Sequence, residues 1–392
     1  MGKNSVLILS DGYPPYDKGG AERIAYYHAQ ALIKAGFRVG VITSQKDDAP
    51  ASLLPQKEEG VLVYRVFHQK KKIQKVTLVP AMLWNPSMRK KLNGVAKNFS
   101  PDIIHAHQIH ATSYDAFTNM MPFVPHILTF HGYQYECPKG GLYRTRFNQI
   151  CRNKPAVCNL FSCLMHNKLS KIDRIIAISH FIKDRLIKNG YDPSRIVYIP
   201  NGVPNLKTRK ILPYTTKNIM YVGRITKNKG VHDLVAAFKN IRDADARLII
   251  AGEGNYLPIV RSLAEGDKRI EFVGWRKPDE IAGLYQKSRI VVVPSLWHEV
   301  MNTVICEAQS WGRPVIATRV GGNDDLIENG VSGIFYEPGD VQSLQGVMTD
   351  LLHNETLSKT LGENGFKKVN QYGMARHIAS IKTLYNEYGC RS

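Results

Sequence analysis

Nowhere in this chain of 392 residues does an apolar run reach the roughly 18 residues needed to span a bilayer. The opening stretch MGKNSVLILSDGYPP is too short in its apolar part for a signal peptide and has no small-residue cleavage site. Its sixth residue is Val6, where a myristoylation signal has Ser or Thr. The expectation is a cytoplasmic protein. A dinucleotide fingerprint is also missing: AGEGNYLP offers G-x-G without the third glycine, and the first loop has only Gly19 and Gly20. This weakens an oxidoreductase reading. RNP-like, zinc-finger and helix-turn-helix signatures are absent too, so nucleic acid is not an expected partner.

What is present is positive charge. The net charge is +20, and it is uneven: residues 1–200 hold 28 Lys and Arg against 13 Asp and Glu, whereas residues 201–392 hold 25 against 20. The excess gathers in HQKKKIQKVTLVPAMLWNPSMRKKL (68–92), where lysines flank an apolar segment containing Trp84. Such an arrangement suits an anionic membrane surface or an anionic acceptor, although a charge run is often no more than a solvated face.

The chain alternates short apolar strands with helical periodicity. SVLILS is followed by an amphipathic helix from about Ala21 to Ala35, with Gly36 where a C-cap glycine belongs. FRVGVIT, GVLVYRVF, DIIHAH, HILTFHG, RIIAIS and IVYIP continue the series. Near-continuous apolar strands separated by helices predict parallel βαβ units covered on both faces. The pattern breaks in a proline-bearing stretch and resumes with NIMYVG, ARLIIAG, IEFVG, RIVVVP, RPVIATRVGG and SGIFYEP. The expected organisation is an N-terminal Rossmann-like domain (1–203), a linker (204–217) and a C-terminal Rossmann-like domain (218–375). A final helix (376–392) is expected to pack back on the first domain. The fold class is α/β, two doubly wound domains facing each other across a cleft, with ligands outside the carboxyl ends of the strands.

One stretch of the second half invites chemistry: SLWHEVMNTVICEAQSWGRPVIATRVGG, in which Glu299 and Glu307 bracket an apolar run. At roughly 100° per residue, eight residues overshoot two turns by roughly 80°, so the carboxylates would not share a helix face. Pro294 ends a strand, and Asn302 is a good N-cap for a helix from Thr303 to Trp311, closed by Gly312. Glu299 then lies on the loop and Glu307 a turn into the helix. The amides of Asn302, Thr303 and Val304 form the expected anion site at the helix start. Arg224 and Lys229, in YVGRITKNKG, add a planar fork and a point charge after the first strand of the same domain. Two basic residues alone are most often surface charge. Together with two carboxylates and a capped helix they suit a nucleotide diphosphate sugar.

The set GGAE (19–22), HAH (105–107), TFHG (129–132), IPNGV (199–203), GRITKNKG (223–230), AGEG (251–254), VPSLWHE (293–299) and the E-x7-E with GRPVIATRVGG resembles the retaining family 4 glycosyltransferases of the GT-B fold, polysaccharide-biosynthesis type. The match runs from about residue 5 to 375. The resemblance implies that Arg224 and Lys229 bind the diphosphate, Glu299 the donor sugar hydroxyls and Glu307 the ribose. It places Gly19 and Gly20 near the donor phosphates, His131 at the reaction centre and His107 in the acceptor wall; His105 is read as structural. The family often has Glu-Gly-Phe-Gly at the first glutamate, whereas here Val300 and Asn302 replace the glycines, so a tighter pocket is expected.

The expected reaction is transfer of a sugar, from a UDP- rather than a GDP-sugar, to a hydroxyl of a lipid-linked glycan in surface polysaccharide (capsule or lipopolysaccharide) biosynthesis. Configuration would be retained. No Asp-x-Asp sits at a strand end and the basic pair can replace a metal, so no catalytic metal or further cofactor is expected. The basic first domain would hold the protein at the inner face of the membrane. A soluble acceptor, a nucleotide-sugar epimerase and a non-catalytic binding protein are the alternatives. Finally, Cys137, Cys151, Cys158 and Cys163 crowd into 27 positions, which raises a structural zinc or free thiols, though no C-x2-C knuckle is present.

Overall fold

The structure is a computed structural model that describes all residues except 1–3, 16–19, 46–50, 69–79, 81, 108, 111, 145–148, 152–153, 205, 207–213 and 391–392. Gly19 and about half of the basic 68–92 stretch (69–79 and 81) therefore lie outside the described residues. The chain divides into two compact units. The first comprises Met1–Gly140, Asn153–Pro204 and Met374–Ser392, and the second Gly141–Arg152 and Asn205–Gly373.

In the first unit the strands are β1 (Ser5–Leu9), β2 (Arg38–Gln45), β3 (Gln56–Glu58), β4 (Val61–His68), β5 (Ile103–Ala106) and β6 (His126–Phe130). A small antiparallel pair, β7 (Tyr143–Arg144) and β8 (Gln149–Ile150), counts with the second unit. β9 (Arg174–Ala177) and β10 (Ile196–Tyr198) complete the first sheet, in the order β10-β9-β6-β5-β1-β2-β4-β3. Every pairing in it is parallel except β3 with β4. β1, β5 and β6 are buried along their whole length, as apolar runs covered on both faces must be.

The helix Gly20–Lys34 buries Ile24, Ala25, His28, Ala29 and Leu32, a stripe at helical spacing, and Gly36 follows it with φ +87°. A histidine inside that stripe is the one polar break in the face. The helix Met374–Asn386 also belongs to this unit and buries His377, Ile378, Ile381, Leu384 and Tyr385. Its start is tied down by the Met374 amide, which donates to the Val203 carbonyl, and by His377 Nδ1, 2.8 Å from the Pro200 carbonyl.

The second unit holds β11 (Asn218–Val222), β12 (Arg247–Ala251), β13 (Ile270–Gly274), β14 (Ile290–Val293), β15 (Val315–Thr318) and β16 (Ile334–Tyr336). All are parallel, in the order β13-β12-β11-β14-β15-β16. Its core joins Ile219, Tyr221, Leu248, Ile250, Val292 and Ile316 from the strands to Leu234, Phe238, Leu344 and Leu351 from the covering helices. Burying each such side chain contributes about 1.5–3 kcal/mol, which is what holds helix to sheet. Residues 340–370 form two helices, Val341–His353 and Glu355–Val369, divided at Asn354, whose side chain caps the second.

This strand order reverses direction between β11 and β14: the chain builds outward one way through β12 and β13, then returns to the other side of β11. At such a reversal the loops leaving the two central strands diverge and open a crevice at their carboxyl ends. The basic loop 223–230 leaves β11 there, and the loop carrying Glu299 leaves β14. The first sheet has the same reversal between β1 and β5.

Candidate active site

Beyond β11, Arg224 is exposed and Lys229 closes a single tight turn, Lys227–Lys229. Gly230 ends this turn at φ +67°, and a Cβ there would stand 1.8 Å from the Pro294 carbonyl oxygen. Only glycine lets the Lys229 loop lie directly against the end of β14. The Leu296 amide donates to the Asn228 carbonyl (2.9 Å) and fastens the two loops together.

Glu299 is 5% exposed, and its Oε1 accepts from Lys229 Nζ at 2.7 Å, Ser295 Oγ at 2.5 Å and Trp297 Nε1 at 2.8 Å. A buried carboxylate persists only with such partners. The Lys229 ammonium also lies 5.4 Å from the Trp297 ring centroid, within cation–π reach. Burial, followed by the Glu299 charge, pushes the Tyr221 phenol far above its ordinary pKa, so it stays neutral and donates to the Arg224 carbonyl. The backbone of Glu299 is held by Gly321, with which it forms a parallel bridge, and its carbonyl accepts from the Gly322 amide at 2.7 Å. Gly321 has φ +61°, and a Cβ on it would lie 2.1 Å from the Glu299 carbonyl oxygen.

The helix after this loop is Thr303–Ser310, with Asn302 as N-cap. Here the expectation needs correcting. The Asn302 side chain accepts from the Val304 amide (3.1 Å), so of the three amides expected to face an anion Val304 is already engaged by the cap. The same bond accounts for the departure from Glu-Gly-Phe-Gly. Asn302 sits at φ −86° as a cap, and Val300 is not among the residues of positive φ, so neither position requires glycine. Glu307 lies on the helix, and its Oε2 accepts from the Tyr285 hydroxyl at 3.0 Å.

In the first unit, the end of β6 carries His131 and the end of β5 carries His107, on neighbouring parallel strands. His107 Nδ1 lies 3.0 Å from His131 Nε2, and His107 Nε2 lies 2.9 Å from His28 Nδ1. His107 is 3% exposed and both its ring nitrogens are engaged, so it does not form an acceptor wall as expected; it stands behind the half-buried His131. His105 is fully buried between the Tyr385 hydroxyl (2.6 Å) and Thr129 Oγ1 (2.8 Å), a structural placement. Burial, followed by the other histidines, pushes His131 and His105 down to about 3 and His107 well below its ordinary value. All three are neutral imidazoles at neutral pH. Gly20 is the first residue of the helix Gly20–Lys34 and is exposed.

Among the described residues the one group of three or more side chains placed to share a metal ion is His28, His105 and His107. The clustered cysteines do not form such a group: none is in a disulfide, Cys137, Cys158 and Cys163 fall in the first unit and Cys151 in the second. Cys158 and Cys163 share one helix but are five residues apart, roughly 140° around its axis, so they diverge.

Sequence reasoning missed Ser295, Trp297 and Tyr285 as partners of the two glutamates. Ser295 and Trp297 stand four and two residues before Glu299, but on an irregular loop spacing does not report contact. For His28 a signal existed: a histidine at an apolar position of a helix must find a buried partner.

The chain matches the family described as Glycosyltransferase Family 4 over residues 18–205 and that described as Glycosyl transferases group 1 over residues 216–354. These two matches, which lie side by side along the chain, indicate a GT-B glycosyltransferase similar to family 4. An uncharacterised glycosyltransferase of Methanocaldococcus jannaschii is 29% identical over 292 residues, 73% of this chain and 75% of the relative. The Escherichia coli UDP-Gal:alpha-D-GlcNAc-diphosphoundecaprenol alpha-1,3-galactosyltransferase is 26% identical over 335 residues, 78% of this chain and 82% of that one. Among solved structures, Anabaena HepE in complex with UDP-glucose superposes with a TM-score of 0.75 at 19% identity, covering 98% of this chain and 100% of that one. That likeness shows a shared GT-B fold, in keeping with the two parallel sheets of this glycosyltransferase.

Proposed function

We propose that this glycosyltransferase moves a hexose from a UDP-sugar to a hydroxyl of a lipid-linked glycan, with retention of configuration and without a catalytic metal. The observation that carries this reading is the Lys229–Glu299 pair, 2.7 Å apart where the second sheet reverses its strand order. An ammonium has three N–H groups, so the bond to Glu299 leaves Lys229 capacity for a phosphate oxygen. Arg224 and the amides of Asn302 and Thr303 complete the diphosphate site. Glu299 takes sugar hydroxyls and Glu307 takes the ribose. HepE with UDP-glucose supports the donor class, and the E. coli relative, whose acceptor is a diphosphoundecaprenol-linked sugar, supports the acceptor class.

In the reaction the acceptor oxygen bonds to the anomeric carbon as the bond from that carbon to the diphosphate oxygen breaks, on the same face. The acceptor proton leaves with a departing phosphate oxygen. Arg224, Lys229 and the helix amides stabilise the charge that develops on the diphosphate, an electrostatic contribution of several kcal/mol. His131 stands at the end of β6 on the acceptor side. The net charge of +15 over residues 1–200, together with the 70% exposed Trp84, supports attachment to an anionic membrane at its inner face. No helix among the described residues is long and apolar enough to cross a membrane.

The test is a donor panel scored for nucleotide release with and without lipid-linked acceptor. Acceptor-dependent UDP release, insensitive to EDTA and lost in Arg224→Ala and Lys229→Ala, is expected. Loss of turnover in EDTA overturns metal independence, and near-normal activity of both variants overturns the site. UDP-sugar consumption without UDP release would instead favour an epimerase.

A further inference from the structure

Seven residues from five segments of the chain meet inside the first unit, and the polar atoms of six of them form one line. His131 Nε2 is 3.0 Å from His107 Nδ1, and His107 Nε2 is 2.9 Å from His28 Nδ1. His28 Nε2 is 3.5 Å from the Tyr385 hydroxyl, Tyr385 is 2.6 Å from His105 Nδ1, and His105 Nε2 is 2.8 Å from Thr129 Oγ1. The seventh, His377, packs its ring edge-on to His28 with centroids 5.4 Å apart, and it is itself fixed as an Nδ1–H tautomer because its partner, the Pro200 carbonyl, can only accept.

A neutral imidazole has one donor and one acceptor nitrogen, so a line of them carries a single direction: reversing one ring reverses all. Burial keeps these rings neutral; His28, His105 and His107 are each 0–3% exposed, and desolvation followed by their mutual repulsion lowers their pKa values. Distance sets the direction. O–H donors make shorter bonds than N–H donors, so the 2.6 Å contact marks the Tyr385 phenol as donor to His105 Nδ1. His105 Nε2–H then donates to Thr129. The Tyr385 oxygen accepts from His28 Nε2–H across the long contact, His28 Nδ1 accepts from His107 Nε2–H, and His107 Nδ1 accepts from His131 Nε2–H. Among the described residues the line ends at His131, whose Nδ1 takes no further part in it.

We propose that His107, His28, Tyr385, His105 and Thr129 are positioning residues that hold His131 in its Nε2–H tautomer, and that the final helix supplies through Tyr385 the hydroxyl that sets this direction. His131 Nδ1 is thereby kept as a hydrogen-bond acceptor for an acceptor hydroxyl. The functional part of the claim rests on the reading of His131 given under Proposed function; the tautomer does not. The three rings near one another are not read as a metal site, because the ring nitrogens that would ligate already bond to one another, to Tyr385 or to Thr129.

The test uses the full chain labelled with 15N-histidine, with ring nitrogens correlated to ring protons at pH 7.5 and His131 assigned through His131→Gln. The wild type is expected to show His131 as Nε2–H. Tyr385→Phe removes only the hydroxyl and is expected to give a second, Nδ1–H population of His131, and to lower kcat about tenfold, one hydrogen bond's worth, with donor KM within about twofold. If Tyr385→Phe does not fold, Thr129→Val, which removes the acceptor at the far end of the line, is measured in the same way. A wild-type His131 in the Nδ1–H or cationic form overturns the proposal. So does an unchanged His131 spectrum in the folded variants, or one equivalent of metal per chain that is lost in His28→Gln. If the tautomers behave as stated but His131→Gln turns over normally, the relay stands and the placement of His131 at the reaction falls.

Discussion

Lowering the pH from 7.5 to 5.5 should unfold the first unit before the second. His28, His105, His107 and His377 are each at most 7% exposed, and burial holds all four below the ordinary imidazole value, His105 to about 3 and His377 to about 4. The unfolded chain takes up a proton at each of these rings below about pH 6.5, while the folded unit does not. Stability is therefore complete above about pH 6.5 and falls as the pH drops towards the folded-state values. At pH 5.5 His105 and His377 each favour the unfolded chain by roughly 1 kcal/mol, and His28 and His107 act in the same direction, so the four together remove a few kcal/mol, a large part of the stability of many domains. Carboxylates such as Glu136 and Asp115 do not blur this window. Although burial alone would raise them, their Arg and Lys partners hold them below their ordinary values, so they remain ionised in both states. Hydrogen exchange on the full chain is the assay, with rates corrected for intrinsic pH dependence. Protection in Ile103–Ala106 and His126–Phe130 should fall by about 10^2-fold or more, far more than in Asn218–Val222 and Ile290–Val293. Equal loss in the two sheets, or none in the first, would refute the reasoning.

Three further outcomes follow from named contacts. Glu299→Gln removes the counter-charge of Lys229 while keeping the size of the side chain; turnover should fall at least about a hundredfold, read as UDP release, with thermal stability little changed. Gly321→Ala places a methyl against the Glu299 carbonyl at a residue of positive φ; it should destabilise the second unit by about 3 kcal/mol, seen by denaturant melts, and lose activity with it. Arg185→Ala strips Glu136, whose side chain is fully buried, of its bidentate partner at 2.6 and 2.8 Å. Because Lys154 and Asn189 remain bonded to Glu136, the loss should be near the lower end for a broken buried pair, about 3 kcal/mol, confined to the first unit and measurable by calorimetry.

How much of this was legible from the amino acids depends on the range of the interaction involved. The parallel sheets were, because an apolar run of strand length followed by a helical period is a local signal, and β1, β6, β11 and β14 form where those runs stand. The cap at Asn302 and the placement of Glu299 on a loop with Glu307 on the helix were legible for the same reason: Pro294, Asn302 and Gly312 act on their own neighbourhood. The sharing of Val304 by that cap was not, since whether a capping side chain or a ligand takes an amide is settled by rotamer and packing.

The basic and acidic residues were visible in the sequence, yet the bond between Lys229 and Glu299 spans 70 positions and exists because the sheet reverses its strand order between β11 and β14. The histidine line is a stronger case of the same kind. Its members come from positions 28, 105, 107, 129, 131 and 385, and no periodicity links them. Composition and local pattern determined which segments become strands and helices and which chemistry the loops contain. Which of those groups touch, and so which are bonded, neutral or open to a ligand, was decided by the tertiary structure, because burial and hydrogen bonding between distant segments arise only once the sheets are assembled.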